Sequence, residues 1–234
     1  VLHDVFNTSL TFHCQDINKR PDFFVKKKNN MKTKLWAGLV GLLLVLVAIG
    51  SWVLYQHYRI ITPVVDITQS EIGWAGKSVS GGHVGKLKFE KVDLQFQDGH
   101  LRGGSFVADM GSITVDDIDD PQGVTDFVAH ITTEDFFEVN KYPTASFVII
   151  QVEAQNATDY QVTGNMTIKG ITKPLQFQAQ VSPLDEGYRV SATLPIDRTQ
   201  FGIEYGANGK RGSAKDWFIY NDFVLTVNVL TAKE

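Results

Sequence analysis

The sequence predicts an all-β domain, an antiparallel β-barrel of about eight strands with a short helical segment, preceded by one N-terminal transmembrane helix. Three observations carry this reading. Apolar and polar residues alternate in successive runs between Leu87 and Val229, the period of half-buried strands. Glycine, proline and Asp98-Gly99 punctuate those runs as turns do. Residues 35–55 carry no charge.

The chain of 234 residues suits one domain plus an appendage. Residues 1–34 form a basic N-terminal segment, 35–55 a signal-anchor helix, 56–63 a linker and 64–234 the barrel domain. Through Thr62 there are eight Lys/Arg against three Asp/Glu, and in the remainder fourteen against twenty-three. An acidic body argues against nucleic acid, which rewards clustered Lys and Arg. The single cysteine, Cys14, lies outside the body and leaves no pair for a disulfide.

Met31-Lys32-Thr33-Lys34 reads as a bacterial start followed by a charged n-region. Residues 1–30 are accordingly expected to be an over-extended reading frame or a dispensable tail. The uncharged run that follows is about 21 residues, roughly 31 Å as a helix, enough to cross a hydrocarbon core. Trp36, Trp52 and Tyr55 sit near its ends, where amphipathic rings favour the interface, and lysines crowd its N-terminal side. This predicts a single-pass inner-membrane protein with a cytoplasmic N-terminus and an exported barrel, periplasmic or otherwise extracytoplasmic. The alternative is a signal peptide cleaved near Ala48-Ile49-Gly50, releasing a periplasmic protein from Ser51. The run continues through Trp52-Val53-Leu54-Tyr55, longer than an ordinary h-region, and favours the uncleaved anchor. A linker of about eight residues spans at most roughly 28 Å and is expected to keep the barrel mouth near the bilayer.

Within the body, Leu87 and Phe89 are followed by Val92, Leu94 and Phe96, and Asp98-Gly99 marks a hairpin. Phe106, Ala108 and Met110 come next. Residues 116–140 hold the helical period. In the acidic stretch that ends it, Phe136 and Phe137 precede Tyr142-Pro143, where a helix should stop. Residues 145–152 are apolar on both faces, which leaves their facing open. Tyr160, Val162, Met166 and Ile168 alternate cleanly. So do Leu175, Phe177, Ala179 and Val181, then Tyr188, Val190, Ala192, Leu194 and Ile196, then Phe223, Leu225, Val227 and Val229. A sheet with one apolar face must bury it, and closure into a barrel also removes its edges. Eight strands leave an interior that holds side chains or one small ligand.

Three stretches resemble the YceI-like polyisoprenoid-binding family. They are Asp135 to Phe147 with Val162-Thr163-Gly164-Asn165-Met166-Thr167-Ile168-Lys169-Gly170-Ile171-Thr172-Lys173-Pro174; Ile72-Gly73-Trp74 through Asp98-Gly99 to Asp109-Met110; and Ile196-Asp197-Arg198-Thr199-Gln200-Phe201-Gly202-Ile203. The resemblance runs in order from about Val64 to Ala232. It implies an elongated lipocalin-like barrel holding a long isoprenoid chain, a prenyl phosphate or an isoprenoid quinone, in an apolar tunnel. No further cofactor is expected.

On that basis the candidate ligand-binding residues are Trp74, Phe89, Phe96, Phe106, Met110, Phe136, Phe137, Phe147, Met166, Phe177, Tyr188, Ala192, Leu194 and Arg198. Composition alone reads the same aromatics as a filled core. Phe136 and Phe137 fit either a plug at the mouth or a docking stop for the helix. Arg198 fits either a hairpin ion pair with Asp197 or, with Lys210-Arg211, a lipid pyrophosphate. His130 is of interest as a polar group near the mouth. The glycines from Gly73 to Gly85 lack the ending of a phosphate loop and read as a flexible turn region at the rim. Asp116, Asp117, Asp119 and Asp120 lack the Gly and distal Glu of a calcium loop and read as a solvated loop ending at Pro121. No nucleophile elbow or acid/base pair stands out, so no enzyme is expected. The runner-up is a structural or stress-related envelope protein with a closed, ligand-free core. A homodimer stays open.

Overall fold

In the computed structural model of the chain, residues 31–207 and 218–232 are described. The readings of residues 1–30, Cys14 and Lys210-Arg211 fall outside them. Helix α1 spans Met31–His57, and within it the 23 residues Lys34–Gln56 are long and apolar enough to cross a membrane. A signal sequence meets the same criterion.

The body is an eight-stranded meander in which each strand pairs antiparallel with the next: β1 Glu71–Ser78, β2 Gly81–Gln97, β3 His100–Asp109, β4 Thr144–Ala154, β5 Asp159–Ile168, β6 Ile171–Leu184, β7 Gly187–Asp197 and β8 Ile219–Leu230. β1 pairs with β8, Ile72 opposite Val227, which closes the barrel. Asp98 and Gly99 take φ of 53° and 77°, as do Lys169 and Gly170 at 51° and 72°. Positive φ at both central residues is what a tight hairpin of matching twist requires.

Register shifts between strands re-phase the walls, and two of them bear on the inward pattern. One between Phe89 and Lys91 explains why Leu87 and Phe89 fall out of step with Leu94 and Phe96, although all four point inward. The other, at Ile150, resolves the ambiguous run. Phe147 and Ile149 face in, whereas Val148 and Ile150 face out at 50% and 65% exposure. The glycines read as a flexible turn are instead strand residues of β1 and β2, with only Val79 and Ser80 in the turn between them.

The connection from β3 to β4 covers one end. Helix α2 spans Pro121–Ile131, with Asp120 capping it through Gly123 N at 2.8 Å and Pro121 in its first turn. Phe136 and Phe137 do not lie on a helix, contrary to expectation, but in the turns after it. Thr132 and Thr133 stop α2 by turning their hydroxyls back onto the carbonyls of Val128 and His130, at 2.9 and 2.7 Å.

At the other end, Ile61 exchanges both backbone hydrogen bonds with Phe96 at 2.8 Å, and Ala232 N donates to Val64 O at 2.7 Å. The linker therefore joins the barrel beside the turns β2–β3, β4–β5 and β6–β7, opposite the capped end.

The candidate lipid cavity

The barrel interior is hollow. A cavity of about 800 Å³ runs beneath the cap, within the range usual for ligand pockets. Phe89, Phe106 and Phe147 line one side in sequence, with ring centroids 6.1 and 6.4 Å apart, and Phe177 continues the arc 5.3 Å from Phe147. That last contact reaches across β5, and Gly164 makes room for it. A Cβ there would stand 2.4 Å from Phe147 Cζ. Met166 shares this wall, while Ala192, Leu194, Leu225 and Val227 form a smoother aliphatic one.

Phe96 and Tyr188 were expected among the lining residues and are not. They stack face to face at 4.3 Å and 9°, below the cavity at the end where the linker joins. With Leu94 they fill the barrel's taper, and Phe96 is 0% exposed. Nearby, Tyr160 Oη and His100 Nδ1 lie 3.0 Å apart, and burial pushes the Tyr160 phenol up from its ordinary pKa. This end is shut.

The cap supplies the roof. Met110, Ile113, Phe127, Ile131, Phe136 and Phe137 all reach the cavity. Residues 112–117 hold the cap down along the upper edge of β2, Thr114 N donating to Lys86 O and Asp116 N to Val84 O at 2.9 and 2.8 Å. Trp74 Nε1 donates to Thr114 O at 3.0 Å, and its ring stacks on Phe127. Gly85 permits this approach, since a Cβ there would meet Thr114 O at 1.9 Å. His130 lies 3.6 Å from Asp135 and edge-on to Phe136 and Tyr205, with centroids 5.2 and 4.9 Å away. Lys77, Ser78, Ser80, His83 and Asp222 give the opening a polar margin of both charges.

Arg198 reaches the cavity wall but is only 4% exposed, and it makes four hydrogen bonds to backbone carbonyls. Nε bonds Tyr220 O at 3.1 Å, Nη1 bonds Ile203 O and Tyr205 O at 2.8 Å each, and Nη2 bonds Ile219 O at 3.0 Å. Burial lowers its pKa, against the attraction of Asp197. Asp197 in turn accepts from Thr199 N and Oγ1 at 2.9 and 2.6 Å, which holds its carboxyl below the usual range. The geometry is that of a clamp on four backbone carbonyls.

Phe127, Ile131, Leu101, Ile203 and Tyr205 also line the cavity and were not singled out from the sequence. Phe127 and Ile131 stand four apart on one face of α2, a spacing that marks them; Tyr205 has no local periodicity to betray it. Asp116 and Asp117 serve the cap, Asp117 accepting from Val84 N at 3.3 Å. Among the described residues, no three His, Cys, Asp or Glu side chains are grouped to hold a metal. The site offers apolar surface and little reactive chemistry.

The YceI-like domain matches residues 64–230. A UPF0312 protein of Pseudomonas putida is 36% identical over 81 residues, 32% of this chain and 42% of that protein. One of Pseudomonas aeruginosa is 37% identical over 83 residues, with the same coverage. The chain thus matches about two fifths of the length of these relatives. Among solved structures, BcnA of Burkholderia cenocepacia superposes with a TM-score of 0.60 at 20% identity, covering 72% of this chain and 99% of that one. A polyisoprenoid binding domain from Saccharophagus degradans gives 0.55 at 14% identity, covering 75% and 100%. At such identities the likeness is one of fold.

Proposed function

The chain belongs to the YceI-like family, and from that premise we propose that it is a membrane-anchored extracytoplasmic protein binding an isoprenoid lipid, a prenyl phosphate or an isoprenoid quinone, within the barrel. The observation that carries this reading is a hollow apolar interior of about 800 Å³ where a filled core would otherwise stand. Each buried methylene contributes about 0.8 kcal/mol, so a chain of several isoprene units binds tightly without a hydrogen bond. The polyisoprenoid-binding description of the Saccharophagus degradans domain supports the ligand class. The apolar helix Lys34–Gln56 supports the anchor, with the N-terminus cytoplasmic and the barrel in the periplasm.

Native mass spectrometry of the full chain purified from its own membranes tests this. A co-purified isoprenoid in near-stoichiometric amount is the expected result. Protein that carries no lipid, and takes up none when offered prenyl phosphates and quinones in detergent, would instead mark a structural envelope protein.

A further inference from the structure

The wall of this barrel is not sealed all the way up. β5 and β6 pair through ten successive positions, and β7 and β8 through nine, up to Asp197 opposite Asp222. Between β6 and β7 the register runs only from Leu184 opposite Gly187 to Ala179 opposite Ala192, six pairs. Above that point both strands continue, β6 to Ile171 and β7 to Asp197, without pairing to each other. The sequence supplies a reason. Pro174 and Pro195 lie in the two unpaired halves, and proline has no N–H to give to a ladder.

The top of the split is filled. The 3-10 turn Arg198–Phe201 and the following Ile203 wedge into it, Phe201 and Ile203 being buried, and Arg198 locks the wedge through the four carbonyls described above. The middle of the split has no such filling. There the inward side chains Phe177 and Leu194 line the cavity with no ladder pair between their strands. On the outer face a depression of about 340 Å³ lies at the foot of the split. Ala179 and Ala192, opposite each other, border both that depression and the cavity, so the smallest β-carbon-bearing side chain is all that stands on each strand at the sill.

We propose that the β6–β7 split is a lateral portal through which the isoprenoid chain enters and leaves sideways. This rests on the lipid-binding reading and adds the route. A long chain fed end-on through the capped mouth must reptate its full length past Phe136 and Phe137. Moving sideways between Phe177 and Leu194 requires the strands to part only where no ladder hydrogen bond holds them. The Arg198 clamp sets the upper limit of the opening, and the Ala179–Ala192 pair the lower.

The test bridges the portal. On a Cys14→Ser background, which removes the one native cysteine, Gln178→Cys and Thr193→Cys place thiols on the two strands one step above the sill. A short bis-maleimide then links them. The control links Gln151→Cys to Thr163→Cys across the paired β4–β5 ladder. Full-length protein in proteoliposomes is offered a fluorophore-tagged octaprenyl chain, and the time course of loading is followed. The portal predicts that the β6–β7 link abolishes loading within the time the unlinked protein needs to fill, and that the control link does not. Equal loading rates in all three would overturn the portal while leaving the binding function intact. A protein that takes up no octaprenyl chain in any form would overturn both.

Discussion

Enlarging Ala192 reads the interior directly, because its side chain faces the cavity from the smoother wall. Ala192→Trp is expected to lower lipid occupancy with little change in Tm, whereas in a filled core the same change costs about 1 to 3 kcal/mol through overpacking. Thr167→Trp on the outer face, where Thr167 Oγ1 meets Thr172 Oγ1 at 2.8 Å, is the control and should leave lipid content unchanged. Arg198→Met strips donors from four backbone carbonyls that are buried or partly so and is expected to cost about 3 kcal/mol, with a matching fall in Tm. A clamp predicts unaltered prenyl phosphate affinity in whatever fraction stays folded; a phosphate-binding role predicts selective loss of that affinity over a quinone. Asp197 adds a pH dependence. Its folded pKa lies below its ordinary value of 3.8, so its contribution is present above that value and lost as the pH falls through the folded pKa. Asp197→Asn should therefore flatten the acid side of the Tm profile and change little between Asn and protonated Asp at the acid extreme. At this scale the sequence was partly legible. Alternation picks out Phe106, Phe147, Met166 and Phe177 as inward, but not the depth of a residue along the barrel axis. Phe96 and Tyr188 share that inward phase and end up as the floor.

The cap shows how one element depends on another's glycine. Gly85→Val would drive a side chain into Thr114 O and the Trp74 indole, displacing residues 112–117 from β2. Limited proteolysis is expected to cut first between Asp109 and Pro143, and lipid loss on dilution to accelerate, while stability falls by about 1 to 3 kcal/mol and Tm with it. Strand cores and the Asp98-Gly99 hairpin are legible because period and turn chemistry are local. The bulge after Phe89 is visible as a slip in phase. The end of α2 is not, since it depends on which way two threonine hydroxyls turn, and the acidic residues beyond it have helical propensity of their own. The split between β6 and β7 is foreshadowed only by Pro174 and Pro195, each of which also fits an ordinary strand edge.

For the molecule as a whole, fractionation decides the anchor. The full chain is expected in the inner membrane and to resist carbonate extraction; a soluble periplasmic form beginning at Ser51 would mean that the apolar segment is cleaved. Strand number and closure are legible in the sequence because an eight-run alternation with one apolar face has few ways to bury it. The polarity of the barrel is not, because which end the linker enters depends on the bridge between Ile61 and Phe96. That bridge fixes residue 61 to the shut end of the barrel. It also has a mechanical consequence. Residues 61 and 232 leave the barrel at the same end, beside the start of β1 and the finish of β8. Tension applied between them loads the closing ladder as a zipper rather than in shear, parting Val65 from Thr231 and then Glu71 from Asn228, one rung after another. In an optical trap this barrel should peel open at low force, with β8 leaving first and the shut floor lost before the cap.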